Sequence, residues 1–122
     1  MRILVTGGGG KLGKALKATE SIHDIVCLNK NQLNFTRSID VDRVFSSHRP
    51  DICIHAGAMT TPMDRHQKHP WPSIESNILG SCNIVKQCLI DKVKPVYIST
   101  DYVYPGNNLY TPEMLILHQV CF

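Results

Sequence analysis

The chain has 122 residues, 43% of them hydrophobic and 19% charged, with a formal net charge of +3. That describes one small globular domain, too short to hold both a cofactor domain and a substrate domain, and not a disordered polymer. Lys and Arg are scattered along the chain, the apolar runs are too short to span a bilayer, and the first residues lead into glycines rather than a cleavable leader, so neither nucleic-acid nor membrane binding is indicated and the cytoplasm is expected.

The first predicted element is an apolar strand over residues 2–6. It runs directly into Gly7-Gly8-Gly9-Gly10-Lys11-Leu12-Gly13. A strand that turns through glycines into a helix start aims backbone N–H groups and the positive end of the helix dipole at one point, which suits a pyrophosphate. In the spacing Gly7-x-x-Gly10-x-x-Gly13, Gly7 permits the tight turn. Gly10 lets phosphate approach a backbone without a Cβ, and Gly13 lets the helix lie close to its strand. Gly8 and Gly9 are surplus to that pattern. Lys11 and Leu12 supply first-turn amides. The alternative is a glycine turn without a ligand. The helix itself is expected from about Gly10, with Leu12, Ala15 and Leu16 on its buried side.

A second strand is predicted over 24–28, followed by Asn29 and Lys30. A dinucleotide fold often carries an acid at this place to hold the ribose hydroxyls. A neutral Asn29 removes the repulsion of an acid toward a 2′-phosphate, and Lys30 adds attraction, which favours NADP over NAD; a simply solvated lysine is the alternative. A helix over 38–47 should bury Val41, Val44 and Phe45.

The third strand, 51–55, ends in His55-Ala56-Gly57-Ala58, where small side chains would let a flat cofactor pass over the backbone. His55 by itself reads as a satisfied core histidine. Asp64, His66 and His69 lie in a polar, proline-bounded stretch with no second cluster to complete a metal site, so no metal is expected. The third helix carries Ile74, Ile78, Cys82, Val85 and Leu89 on one face, expected to be buried. Pro70 and Pro72 sit at its start, and Gly80 inside it implies a close approach. The fourth strand is 95–99. Five cysteines, Cys27, Cys53, Cys82, Cys88 and Cys121, form an odd set without a CxxC pair and read as reduced thiols.

Strands alternating with helices give an α/β class: a Rossmann-type, doubly wound parallel sheet with helices on both faces, expected in the truncated order 3-2-1-4. Ligands of such sheets bind at the carboxyl ends of the strands. Every distinctive segment falls on that rim.

After the fourth strand comes Ser99-Thr100-Asp101-Tyr102-Val103-Tyr104-Pro105-Gly106. With the glycine loop, the Ala56-Gly57-Ala58 stretch and Asn77-Ile78-Leu79-Gly80-Ser81, it resembles the extended short-chain dehydrogenase/reductase superfamily. Within that superfamily it is similar to the dTDP-4-dehydrorhamnose reductase group and its nucleotide-sugar epimerase relatives, over residues 1–111. The resemblance implies an NAD(P)-dependent oxidoreductase acting on a nucleotide sugar, with NADP or NAD as cofactor. It implies that Thr100 donates a hydrogen bond to the sugar C4 oxygen, that Asn77 supports the site, that Ser99 lies by the cofactor and that Asp101 and Tyr102 border the sugar.

Reduction in the superfamily depends on a Tyr-x-x-x-Lys pair, which this sequence lacks. Residues 112–122 form an atypical apolar tail, consistent with a reading frame truncated or shifted near Thr111. The fragment is expected to be inactive alone. A non-catalytic NAD(P)-binding regulatory module is the alternative, and the oligomeric state is not legible.

Overall fold

Apolar runs of four or five residues, each followed by a turn and an amphipathic segment, fold into parallel strands alternating with helices in the computed structural model, which describes residues 1–60 and 63–99. The strands are β1 (Arg2–Thr6), β2 (Asp24–Leu28), β3 (Ile52–His55) and β4 (Lys94–Tyr97). The helices are α1 (Lys11–Ala18), α2 (Ser38–His48), α3 (Met63–Lys68), α4 (Trp71–Ile74) and α5 (Ser81–Asp91). A π-helical segment, Glu75–Gly80, joins α4 to α5 without a break. Residues 63–68 are thus helical where a polar loop was expected.

All four strands pair in parallel, and the Rossmann-type α/β class holds. The observed order is β2-β1-β3-β4, with the third strand beside the first, where 3-2-1-4 would set it outside the second. Alternating runs fix that the strands are parallel but leave open on which side of β1 the third one enters. Right-handed crossovers then assign the layers. The step from β1 to β2 runs one way along the sheet and the steps to β3 and β4 run the other, so α1 covers one face while α2 and α5 share the opposite face. The crossover direction reverses between β1 and β3, so the crevice lies above those two strands.

The main core lies under α2 and α5, where Leu4, Val41, Phe45, Cys53, Ile84 and Cys88 are at most 1% exposed. Val41, Val44 and Phe45 are buried as their spacing requires. Burying a side chain the size of Phe45 is worth about 1.5–3 kcal/mol. Cys53 and Cys88 meet in this core, and the hydrogen bond between them together with burial pushes the Cys53 thiol up, so it packs as a neutral hydrophobe.

Two expected faces are corrected. On α1 the buried residue is Gly13, while Leu12 is 40% exposed, Ala15 is exposed and Leu16 is half-buried. The helix meets the loop through its backbone at Gly13. On the long helix the stripe expected to be buried points outward, with Ile78 at 56% and Leu89 at 72% exposure. The buried arc consists instead of Gly80, Ile84, Gln87 and Cys88. Among the described residues no helix is long and apolar enough to cross a membrane.

Candidate functional site

The chain leaves β1 at Thr6 and turns at Gly7, whose φ of +71° is the left-handed conformation that a glycine adopts without strain. The turn is closed by Gly10 N–H donating to Gly7 O at 2.9 Å. Gly8 N–H donates to Leu28 O at 2.8 Å, and a Cβ on Gly8 would lie 2.8 Å from the Cys27 carbonyl carbon. Gly8 is therefore part of the architecture and not surplus. A Cβ on Gly13 would lie 2.5 Å from Gly8 Cα, so the helix packs on the loop as closely as backbones allow. Gly10 is the N-cap of α1 and offers no side-chain oxygen, and the first turn holds no acid. Among the described residues no side chain therefore accepts from the first-turn amides around Lys11 and Leu12, which sit at the positive end of the helix dipole.

Across the crevice, Ala56, Gly57 and Ala58 follow β3. A Cβ on Gly7 would lie 2.6 Å from Ala56 O and 2.7 Å from Gly57 N, so two stretches of bare backbone touch where the crossover direction reverses. Ala56 is half-buried, Gly57 buried and Ala58 exposed.

Asn29 and Lys30 are both exposed beyond β2. Asn29 Oδ1 accepts from Asn31 N–H at 2.9 Å and Gln32 N–H at 3.2 Å, which commits the side-chain oxygen to its own turn. The end of Asn29 that remains for a ligand is its NH2, a donor only.

Behind the rim lies a polar chain that local patterns did not reveal. Gly57 N–H donates to Thr6 Oγ1 at 3.3 Å, Thr6 Oγ1 meets His55 Nδ1 at 2.6 Å, and His55 Nε2 meets Ser81 Oγ at 3.0 Å. A neutral imidazole with its proton on Nε2 satisfies every link: Thr6 donates to Nδ1 and Nε2 donates to Ser81. His55 is 4% exposed, and burial lowers its pKa to about 4. It is the satisfied core histidine its sequence context indicated. The Phe35 ring stands edge-on to it, with centroids 5.0 Å apart, and fills the space left by two glycines. A Cβ on Gly57 or on Gly80 would lie 2.5 Å from that ring. The close approach expected at Gly80 is made by Phe35.

Asn77, in the π-helical segment, holds the loop after β3 by accepting from Met59 N–H at 2.7 Å and donating to Met59 O at 2.9 Å. Ser99 is exposed, two residues past the end of β4, because the strand is Lys94–Tyr97 rather than 95–99. Thr100, Asp101 and Tyr102 lie outside the described residues. The structure thus brings the glycine loop, the Ala56–Ala58 stretch, Asn29 and the Asn77 loop to one rim. Among the described residues no three His, Cys, Asp or Glu side chains gather into a metal-binding group.

Comparison with known proteins finds relatives of the same fold. The family described as "RmlD substrate binding domain" matches residues 1–114. A dTDP-4-dehydrorhamnose reductase from Bacillus anthracis, solved in complex with NADP, superposes with a TM-score of 0.81 at 34% identity, covering 88% of this chain and 39% of that one. A UDP-glucose 4-epimerase from Thermus thermophilus, complexed with NAD, gives a TM-score of 0.73 at 26% identity over 82% of this chain and 38% of that one. Methionine adenosyltransferase 2 subunit beta from Bos taurus is 28% identical, covering 88% of this chain and 34% of its own length. The chain spans between 34% and 42% of the length of the curated relatives it matches.

Proposed function

The chain belongs to the RmlD substrate binding domain family, and from that premise we propose that it is the cofactor-binding part of an NAD(P)-dependent oxidoreductase of the dTDP-4-dehydrorhamnose reductase type, acting on a nucleotide sugar. The observation that carries the reading is the junction of Gly7 with Ala56 and Gly57 beside the uncapped start of α1. Bare backbone and free amides meet there, at the switch point of the sheet, which fits a pyrophosphate. On this reading residues 1–111 form the dinucleotide-binding part and 112–122 lie outside it.

The pyridine dinucleotide, when bound, supplies or accepts a hydride. The chain's own residues bind and orient. The amides of Lys11, Leu12 and Gly13 receive the pyrophosphate, with Gly7 and Gly10 leaving it room, and Ala56, Gly57 and Ala58 form a flat floor toward Ser99. Thr100 donates a hydrogen bond to the sugar oxygen on which negative charge develops, a task that suits a neutral hydroxyl. Asn77 steadies the neighbouring loop, and Asp101 and Tyr102 border the sugar.

The preference is for NADP over NAD. The donor-only end of Asn29 and the ammonium of Lys30 both favour a phosphate over ribose hydroxyls that an acid would hold. Fluorescence titration of the chain with NADPH and NADH tests the reading. Tighter binding of NADPH is expected; equal affinities overturn the preference, and binding of neither overturns the cofactor site.

A second reading, a non-catalytic NAD(P)-binding regulatory module, is favoured by one relative. The bovine relative is named as a subunit of another enzyme. Reduction of a nucleotide ketosugar by the purified chain would exclude this module reading.

A further inference from the structure

The segment from Glu75 to Asp91 joins the rim loops to one another. Its π-helical turn, Glu75–Gly80, inserts an extra residue ahead of α5 and spreads the inward-facing residues over a wide arc. On one flank of that arc Asn77 holds Met59 and Ser81 meets His55. On the other flank Asn83 Nδ2 donates to the carbonyls of Phe35 and Thr36, both at 3.1 Å. Between the flanks, Gly80 admits the Phe35 ring.

The loop that Asn83 reaches, residues 29–37, starts beside the glycine loop at the end of β2 and carries Phe35 across to Gly57 at the end of β3. Within the loop, two asparagines close turns of their own. Asn29 Oδ1 caps Asn31 and Gln32, and Asn34 Oδ1 accepts from Thr36 N–H at 3.3 Å and Thr36 Oγ1 at 2.9 Å. These bonds shape the turns but do not tie them to the rest of the protein. Among the described residues, the side-chain hydrogen bonds that reach this loop from another element are those of Asn83.

We infer that Asn83 is a positioning residue for the dinucleotide groove. By holding two carbonyls of the 29–37 loop it fixes the wall that carries Asn29 and Lys30, and so sets affinity for the adenosine half of the cofactor without touching it. The inference rests on the cofactor reading given above. Its ligand selectivity follows from place: Asn29 and Lys30 stand at the end of β2, on the opposite edge of the sheet from β4, at whose end the sugar and nicotinamide are expected, so the adenosine end responds and the nicotinamide end does not.

The test is calorimetric titration of the chain and of Asn83→Asp and Asn83→Ser with adenosine 2′,5′-bisphosphate and with reduced nicotinamide mononucleotide. Asn83→Asp turns an acceptor toward two carbonyls, and Asn83→Ser keeps a single donor, so a milder variant remains if the first fails to fold. Loss of two modest hydrogen bonds predicts about a tenfold weakening for the adenosine ligand with Asn83→Asp and a smaller one with Asn83→Ser. Affinity for the mononucleotide should be unchanged. Hydrogen exchange at the Thr36 and Arg37 amides should speed up in the same order. A variant that weakens both ligands equally, or neither, overturns the positioning role. Failure of the unsubstituted chain to bind the adenosine ligand instead overturns the cofactor reading on which the role depends.

Discussion

Asn77 binds the main chain of Met59 with both ends of its amide, accepting at 2.7 Å and donating at 2.9 Å, as a neighbouring strand would. The pair spans 18 residues and fixes the loop that leaves β3. Asn77→Leu keeps the volume but leaves a donor and an acceptor of a half-buried backbone unmatched, at a cost of about 1–3 kcal/mol. Asn77→Asp retains the bond from Met59 N–H and sets two acceptors against each other at Met59 O. Denaturant unfolding should rank wild type above Asn77→Asp above Asn77→Leu, with faster exchange of the Met59 amide in both variants. Unchanged protection at Met59 would show that the loop is held by something else.

The chain from Gly57 through Thr6 and His55 to Ser81 makes the fold sensitive to acid. His55 is held neutral by burial with a pKa of about 4, against an ordinary value of 6.5, so between these values the unfolded chain binds the proton and the folded chain does not. The stabilisation is complete above pH 6.5 and declines as the pH falls toward 4, a total of about 3 kcal/mol for a shift of this size. Melting curves from pH 7.5 to 4 should show this loss, and His55→Gln, which does not titrate, should flatten the slope while lowering stability at neutral pH. An identical slope in the two proteins would remove His55 from the acid response.

Gly13→Ala separates close packing from mere flexibility. The new Cβ would sit 2.5 Å from Gly8 Cα and 2.7 Å from Gly7 O, backbone atoms that cannot rotate away, so α1 must lift from the loop. Overpacking of this kind costs about 1–3 kcal/mol. Gly9→Ala is the control, because its Cβ meets only the Asn29 Cβ at 3.7 Å. A fall in Tm and a loss of NADPH binding with Gly13→Ala, alongside near-native stability for Gly9→Ala, is the expected pattern. If Gly13→Ala binds and melts like the parent, the glycine spacing does not hold the helix to its loop.

What could be read in the sequence was whatever has a local signature. β1 and β2 fall where their β-branched runs put them, α2 buries Val41, Val44 and Phe45 at the expected spacing, and Gly7 takes the positive φ its place in the motif requires. Three things had no such signature. The side on which β3 joins β1 is a choice between two right-handed paths, and no residue pattern in the strands decides it. The phase of the long helix depends on the extra residue in Glu75–Gly80, which turns Ile84 and Cys88 inward and the more regular stripe outward. The bonds from Thr6, Ser81 and Asn83 join residues 26 to 51 positions apart, a separation at which periodicity is silent. The spacing Asn77-x-x-Gly80-x-x-Asn83, polar and small residues within an apolar helix, was the available clue.

That outward stripe gives the last prediction. Trp71, Ile78 and Leu89 are 61%, 56% and 72% exposed, and β4 is exposed at all four positions and is the last strand of the sheet among the described residues. An exposed apolar helix face and a strand edge with no partner among the described residues favour association with other copies. Sedimentation of the chain at rising concentration should show self-association. Ile78→Lys with Leu89→Lys should reduce it while leaving Tm within about 4 °C, since surface substitutions away from packed groups usually change stability by less than about 0.5 kcal/mol each and 1 kcal/mol shifts the Tm of a domain this size by roughly 4 °C. Lys is also a good helix former, so α5 should keep its structure. A doubly substituted chain that melts about 10 °C lower or more would place those side chains in a packed interior, and one that associates as strongly as the parent would shift the cause from the helix face to the β4 edge.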